Sequence, residues 1–159
     1  MANITTFDFF DSLGFEKNVF LLVLVVLKTS HCMKFEIDGN DGTGKSFRAA
    51  MLRRLFPDIP VKDRGVFSEA TLNESIFAHD ADAMANFKNH ILKNNDVVYI
   101  VCRCSIPKSQ ERILSRGGSL DEEFHTEADL KKYNERFDFL LDLVKDLPNV
   151  IRLNTDIDI

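Results

Sequence analysis

A glycine-rich segment limits what this chain can fold into. Residues 39–46 are Gly-Asn-Asp-Gly-Thr-Gly-Lys-Ser, with the spacing Gly-x-x-x-x-Gly-Lys-Ser. The glycines allow the backbone to curl so that successive N–H groups point into one anion-sized hollow. Lys45 adds a mobile positive charge for the outer phosphates of a nucleotide, and the Ser46 hydroxyl suits a phosphate-bound Mg²⁺. Because a strand pattern precedes the segment and a helical pattern follows it, we predict a phosphate-binding loop and not a chance glycine turn.

Size and charge narrow the class of protein. A chain of 159 residues with 45% hydrophobic content is one domain with a real core, and it is not globally disordered. The net charge of −5 argues against an extended nucleic-acid surface, although a local basic cleft stays open. The three cysteines show no pairing pattern and are expected to be reduced thiols. We therefore expect a cytoplasmic protein.

Residues 1–32 differ from the rest of the chain. Residues 19–27 form a continuous apolar run between Lys17 and Lys28. The run is shorter than the roughly 20 residues of a membrane-spanning helix, so no membrane span is expected. Acidic residues before it and the absence of a small-x-small cleavage site argue against a secretory signal, and a buried strand is a third interpretation. Our hypothesis is that residues 1–32 are an appendage, not needed for the chemistry of a domain at 33–159.

From Met33 onward, apolar periodicity alternates between strand and helix. Strands are predicted around Phe35 and Ile37, and at 59–62, 96–102 and 150–153. Helices are predicted at 46–55, 67–77, 81–93 and 107–116, and from a Thr126–Asp129 capping box to Val144. This alternation predicts an α/β fold with a short parallel sheet flanked by helices, in three layers. Ligands of such sheets bind beyond the carboxyl ends of the strands, where the glycine loop and Asp63-Arg64 would meet.

These segments together resemble a known family. Ile37 to Ser46 is similar to the phosphate loop of thymidylate kinases and related deoxynucleoside kinases, including short phage-type members. Residues 63–69, Asp-Arg-Gly-Val-Phe-Ser-Glu, resemble the Asp-Arg motif of that family. Arg112-x-x-x-Arg116-Gly117, followed by an acidic stretch, resembles its arginine-bearing lid, and residues 150–155 resemble its closing strand. The resemblance covers about residues 33–156 and implies a P-loop NTPase fold.

The resemblance also implies a role for each motif in phosphoryl transfer, in which positioning and charge neutralisation dominate. ATP phosphates would be held by Gly39, Asn40, Asp41, Gly42, Thr43, Gly44, Lys45 and Ser46. Mg²⁺ would be held by Ser46 and Asp63. The acceptor would be contacted by Asp41, Arg64 and Ser68. Arg112 and Arg116, one helical turn apart, would close over the transferring group, so the expected catalytic residues are Lys45, Asp63, Arg64, Arg112 and Arg116.

The acceptor is the less defined half of this prediction. Only about seven residues separate the first helix from Asp63, where the family carries another strand and a substrate-contacting segment. A nucleoside hydroxyl benefits from a general base, whereas a monophosphate is already anionic and needs mainly arginines. The residues present favour ATP-dependent transfer to a deoxynucleoside monophosphate such as dTMP, in nucleotide biosynthesis. A nucleoside or polynucleotide kinase, and a nucleotide-binding protein without turnover, stay open, as does a homodimer.

Overall fold

The structure is a computed structural model that describes residues 34–156, so the predictions for residues 1–32 lie outside the described residues. Four strands and six helices occupy this range. The strands are β1 Lys34–Gly39, β2 Val61–Asp63, β3 Val97–Arg103 and β4 Val150–Asn154. The helices are α1 Lys45–Leu55, α2 Val66–Ala70, α3 Glu74–Phe77, α4 Ala81–Lys93, α5 Ile106–Ser115 and α6 Glu127–Leu143.

The strands form one parallel sheet in the order β2-β1-β3-β4. Phe35 pairs in register with Val61 of β2 and with Val98 of β3, and Ile100 of β3 pairs with Ile151 of β4. All seven residues of β3 are buried, as expected for a central strand covered on both faces. The predicted parallel α/β sheet flanked by helices is therefore confirmed.

Two apolar clusters fill the space between the sheet and its helices. One cluster joins Phe35 and Ile37 of β1 to Ala49 and Leu52 of α1. The other joins the opposite face of β3 to α2, α3, α4 and α6; its members include Phe67, Ile76, Ile91, Tyr99 and Leu140. This division follows from the strand order. The connection from β1 leads to β2 on one side of β1, whereas the later connections, from β2 to β3 and from β3 to β4, lead across the sheet in the opposite direction. Right-handed crossovers then place α1 on one face and the later helices on the other.

One predicted helix is wrong in its continuity. The pattern over residues 67–77 forms two short helices, α2 and α3, separated by a turn at Thr71, Leu72 and Asn73. The Asn73 side chain accepts a hydrogen bond from the Ser75 N–H at 3.1 Å and so begins α3 as an N-cap. A short polar side chain that hydrogen-bonds to the nearby backbone competes with the hydrogen bonds that would continue a helix. Here the Asn73 cap ends one helix and begins the next.

The longest helix begins where the capping residues predict. Thr126 Oγ1 accepts a hydrogen bond from the Asp129 N–H at 3.1 Å and donates one to the Asp129 carboxylate at 2.6 Å. Leu130 and Phe137 of the predicted apolar stripe are buried, whereas Tyr133 is only half-buried. Within residues 34–156, no helix is long and apolar enough to cross a membrane.

Candidate functional site

The glycine-rich loop connects β1 to α1 at the carboxyl edge of the sheet. Gly42 and Gly44 have φ values of 75° and 74°, in the left-handed region that side chains disfavour. A Cβ atom at Gly42 would also collide with the backbone of Ser109 in α5. Asn40 ties the loop to α6, since its side-chain amide donates to the Leu130 carbonyl at 3.0 Å. The glycines are therefore required by the loop conformation and by the close approach of α5.

Lys45 is buried inside this loop. Its side chain is 7% exposed, and Nζ donates to the Asn40 carbonyl at 3.2 Å and lies 3.3 Å from Asp41 Oδ1. A buried ammonium costs free energy unless several acceptors or an anion surround it. Lys45 thus holds a buried positive charge against the loop backbone and the Asp41 carboxylate.

The carboxylate of Asp41 lies close to nitrogen-bearing side chains from three segments. Its Oδ1 lies 3.3 Å from Lys45 Nζ and 3.4 Å from Arg64 Nη2, and its Oδ2 lies 3.4 Å from His125 Nε2. Burial disfavours ionisation of this carboxyl, but the attraction of Lys45, Arg64 and His125 outweighs burial and lowers the Asp41 pKa. The structure therefore places Asp41, Lys45 and Arg64 in one site.

The segment that carries Arg64 is held by a second carboxylate, Asp38. Asp38 Oδ1 accepts hydrogen bonds from the Gly65 N–H at 2.7 Å, the Ser68 N–H at 3.1 Å and the Ser68 hydroxyl at 2.5 Å. Burial raises the pKa of Asp38, and these hydrogen bonds offset the effect only in part. Arg64 itself has a φ of 64°, a strained value for a residue other than glycine. The Ser68 hydroxyl, predicted to contact the acceptor, is bonded to Asp38 in this structure.

Arg112 lies against the outer side of the loop. Its Nη1 donates to the Gly42 carbonyl at 3.2 Å, and its Nη2 donates to the Thr155 carbonyl at 2.5 Å. Thr155 is fully buried, and its hydroxyl lies 2.7 Å from the Thr43 carbonyl and 3.2 Å from the Arg103 carbonyl. Arg112 and Thr155 therefore connect the loop to the end of β4, so the structure gives Arg112 a bracing contact.

Arg116 is exposed at the end of α5, and its Nε donates to the Arg112 carbonyl at 3.2 Å.

The two residues expected to hold Mg²⁺ lie on β2 and at the start of α1. Asp63 pairs in register with Ile37, whose side chain lies in the apolar cluster beneath α1, and Ser46 is in the first turn of α1. Asp63 Oδ1 is buried without a hydrogen-bond partner among the described residues. An orphaned carboxylate oxygen fits a cation or its bound water. No group of three or more His, Cys, Asp or Glu side chains within residues 34–156 forms a metal site by itself.

A cleft of ≈ 330 Å³ opens beside Asp41 and Lys45. Its lining combines charged and polar residues with an aromatic part, where the ring centroids of Phe124 and Tyr133 lie 5.6 Å apart. The cleft is lined by Gly39, Asn40, Asp41, Lys45, Arg64, Gly65, Ser68, Glu69, Thr71, Leu72, Phe124, Tyr133 and Phe137. Its volume is at the low end of the roughly 300–1,000 Å³ of small-molecule sites. Arg112 and Arg116 are not among its lining residues.

Sequence reasoning missed several members of this site. No spacing in the sequence marks His125 as a site residue, yet its ring borders Asp41. Asp38 and Thr155 were not predicted, because each forms hydrogen bonds with backbone groups more than 25 residues away in the chain. Such contacts leave no local pattern in the sequence. Phe124 lies in the acidic stretch before α6, where one exposed aromatic residue carries no periodic signal. The one signal in the sequence for Phe124 was that it is an aromatic residue in an otherwise polar stretch that resembles a lid.

Comparison with known proteins assigns no function to this site. No family model, curated protein or solved structure matches the chain.

Proposed function

We propose that this protein is a P-loop kinase that transfers the γ-phosphoryl group of ATP, with Mg²⁺, to a deoxynucleoside monophosphate such as dTMP. The observation that carries the proposal is the convergence of Lys45, Arg64 and the glycine loop at Asp41, beside a cleft with an aromatic end. A donor-phosphate hollow next to a cation-rimmed cleft is the arrangement that phosphoryl transfer between two nucleotides needs.

The donor half of the site is the loop itself. Backbone N–H groups and Lys45 would hold the β- and γ-phosphates, and the positive end of α1 adds to this field. Ser46 and Asp63 would hold Mg²⁺, which when bound neutralises charge on the β- and γ-phosphates. The Asp41 carboxylate lies 3.3 Å from the Lys45 ammonium. An incoming phosphate would compete for this ammonium.

The acceptor half is the cleft. The exposed Arg64 guanidinium lines the cleft and suits the phosphate of a monophosphate acceptor. An oxygen of that phosphate would attack the γ-phosphorus while the bond to the β–γ bridging oxygen breaks, which releases ADP. Phe124 and Tyr133 offer ring faces to a base. Arg116, exposed at the end of α5, would supply further charge to the transferring group, as the lid resemblance implies.

A second candidate, a nucleoside kinase, is favoured by one specific observation. The carboxylates of Asp41 and Glu69 both line the cleft, and Glu69 is largely exposed. A carboxylate within reach of a sugar hydroxyl could act as its general base. The lowered pKa of Asp41 makes it a weak base, since Lys45 and Arg64 stabilise its ionised form. A monophosphate therefore remains the preferred acceptor.

Labelled ATP with a panel of deoxynucleosides, deoxynucleoside monophosphates and DNA 5′ ends tests the proposal. We expect label on a monophosphate, and we expect Arg64→Ala to abolish transfer while ATP affinity changes less than about threefold. Lys62→Ala, which removes a neighbouring exposed cation, is the matched control and should keep transfer. Turnover of a nucleoside or DNA end with no monophosphate product would contradict the first choice. ATP binding without any product would identify a binding protein.

A further inference from the structure

Arg136 joins α6 to the turn between α2 and α3. Its Nη1 donates to the Thr71 carbonyl oxygen at 2.6 Å. Its Nη2 lies 2.8 Å and 2.6 Å from the two carboxylate oxygens of Glu74 in α3. The guanidinium carbon lies 4.4 Å from the centroid of the Phe77 ring and 5.9 Å from that of the Tyr133 ring. One side chain, only 11% exposed, therefore contacts the turn, α3 and an aromatic residue of its own helix.

These contacts of Arg136 differ in strength. Thr71 follows the last residue of α2, where carbonyl groups lack a partner within the helix. Because Thr71 is buried, the loss of its donor would cost free energy. The Glu74 side chain is 73% exposed, and an ion pair in contact with water contributes little. We therefore expect the bond to Thr71, together with the two ring contacts, to outweigh the ion pair with Glu74.

The groups that Arg136 contacts belong to two parts of the cleft lining. Thr71 and Leu72 line the cleft from the turn, and Tyr133 lines it from α6, whereas Arg136 itself is not a lining residue. Leu72 is 62% exposed, so its apolar side chain is accessible to a ligand in the cleft. Because Arg136 bonds to the turn and lies over the Tyr133 ring, it fixes these two parts relative to each other.

We propose that Arg136 is a positioning residue for the acceptor, which sets the space between Leu72 and Tyr133 that receives the base of the nucleotide. This inference rests on the proposed function, since its ligand is a deoxynucleoside monophosphate. A planar guanidinium can donate in two directions and lie against rings, whereas a lysine ammonium cannot do both at once. The loop and Arg64 hold the phosphates in that function, away from this contact. Arg136 therefore acts on acceptor affinity and not on the transfer step.

Steady-state kinetics of the full chain with ATP and dTMP test the proposal. We expect Arg136→Lys to raise the KM for dTMP about tenfold, while kcat and the KM for ATP change less than about twofold. Glu74→Gln is the matched control, because it removes the charge of the ion pair and leaves the bond to Thr71. It should keep the KM for dTMP within about twofold of the parent value. A KM for dTMP that stays at the parent value in Arg136→Lys would overturn the proposal.

Leu72→Ala tests the same space without a change at Arg136. Leu72 is exposed, so this variant should fold even if Arg136→Lys does not. We expect the KM for dTMP to rise about fivefold, because the base loses an apolar contact. Leu92→Ala is the matched control, since Leu92 is 54% exposed on α4 and does not line the cleft. An unchanged KM for dTMP in Leu72→Ala would show that the turn does not contact the base, and would overturn the proposal.

Amide hydrogen exchange separates this inference from the proposed function, because it needs no turnover. The Leu72 and Asn73 amides donate to the Glu69 and Ala70 carbonyls within the turn. We expect Arg136→Lys to speed their exchange about tenfold relative to the amides of α4, and Glu74→Gln to leave the ratio unchanged. An equal increase in α4 would indicate a general loss of stability and would overturn the positioning role.

The two proposals fail in different ways. If the parent protein does not phosphorylate dTMP, the proposed function fails, and the exchange of the Leu72 and Asn73 amides still decides whether Arg136 fixes the turn. If the parent protein phosphorylates dTMP and neither this exchange nor the KM for dTMP responds to Arg136→Lys, only the role of Arg136 fails.

Discussion

At the scale of single residues, the loop depends on groups that never face the cleft. Arg112 contacts the carbonyl oxygen of Gly42, and Thr155 contacts that of Thr43, so both hold the loop from behind. Backbone N–H groups can bind a phosphate only while the peptide planes keep their orientation. If the loop binds a phosphate as proposed, residues that fix the carbonyl side of those planes are expected to act as positioning residues.

Arg112→Lys is expected to weaken ATP binding about tenfold, because a lysine ammonium cannot bond to Gly42 and Thr155 with two separate nitrogens. Isothermal titration calorimetry measures the affinity. Lys108→Ala is the control on the same helix, since Lys108 Nζ bonds to Glu111 at 2.9 Å on the surface. Equal affinities for Arg112→Lys and the parent protein would show that the brace does not position the loop.

Asp38→Asn is expected to change how stability depends on pH. Burial raises the Asp38 pKa above its ordinary value of 3.8, so the folded protein keeps a proton that the unfolded chain has released. The contribution of Asp38 to the free energy of unfolding therefore falls as pH rises from 3.8 through the raised pKa, and stays lower above it. Asp38→Asn lacks this titration.

Urea unfolding of both proteins between pH 4 and pH 8 measures the effect. Because all other groups are shared, the difference between the two free energies of unfolding isolates Asp38. We expect this difference to shift in favour of Asp38→Asn as pH rises. A difference that stays constant over the whole range would contradict the assignment.

At the scale of elements, α6 links the loop, the sheet and the lid-like stretch. Asn40 of the loop bonds to the α6 backbone, and Arg103 at the end of β3 bonds to Asn134 and Asp138. His125 and Phe124 come just before the first turn of this helix. The start of α6 therefore sets the position of two residues that border the cleft.

Thr126→Ala is expected to lower the free energy of unfolding by about 1 kcal/mol, because it removes the N-cap of α6. Thr126→Ser retains the hydroxyl and should stay close to the parent protein. Chemical denaturation monitored by circular dichroism measures both variants. Equal losses for Ala and Ser would mean that the Thr126 methyl group, and not the cap, supplies the stability.

At the scale of the whole molecule, ligand binding at the loop is coupled to folding, because the loop contacts α5, α6 and the end of β4. ATP with Mg²⁺ at 100 times its Kd is expected to raise the free energy of unfolding by about 2.7 kcal/mol. Differential scanning fluorimetry should show this as an increase in Tm.

Lys45→Ala should lose most of that increase in Tm, while Lys62→Ala should keep it, since Lys62 is on the surface of β2. An increase of the same size in Lys45→Ala would mean that the nucleotide binds elsewhere. The comparison uses the shift on ligand addition within each variant, so a change in the stability of the free protein does not affect it.

Much of the fold was predictable because its signals are local. The buried run that forms β3, the Thr126 cap and the spacing of α4 each depend on residues near one another in the chain. The split between α2 and α3 was not predicted, because apolar spacing continues across the Asn73 cap. The glycine-rich loop between β1 and α1 was predictable for the same reason as β3, since its glycines and Lys45 are close together in the sequence.

The sequence by itself determined the parallel α/β architecture, the loop, and the presence of Asp63-Arg64 at the end of a strand. Only the tertiary structure decided that Asp41, Arg64 and His125 meet, that Arg112 faces the loop from behind, and that the cleft has an aromatic end. The physical reason is the distance along the chain over which each interaction acts. Backbone conformation and apolar periodicity act over a few residues, whereas a binding site forms where the sheet brings distant segments to one edge.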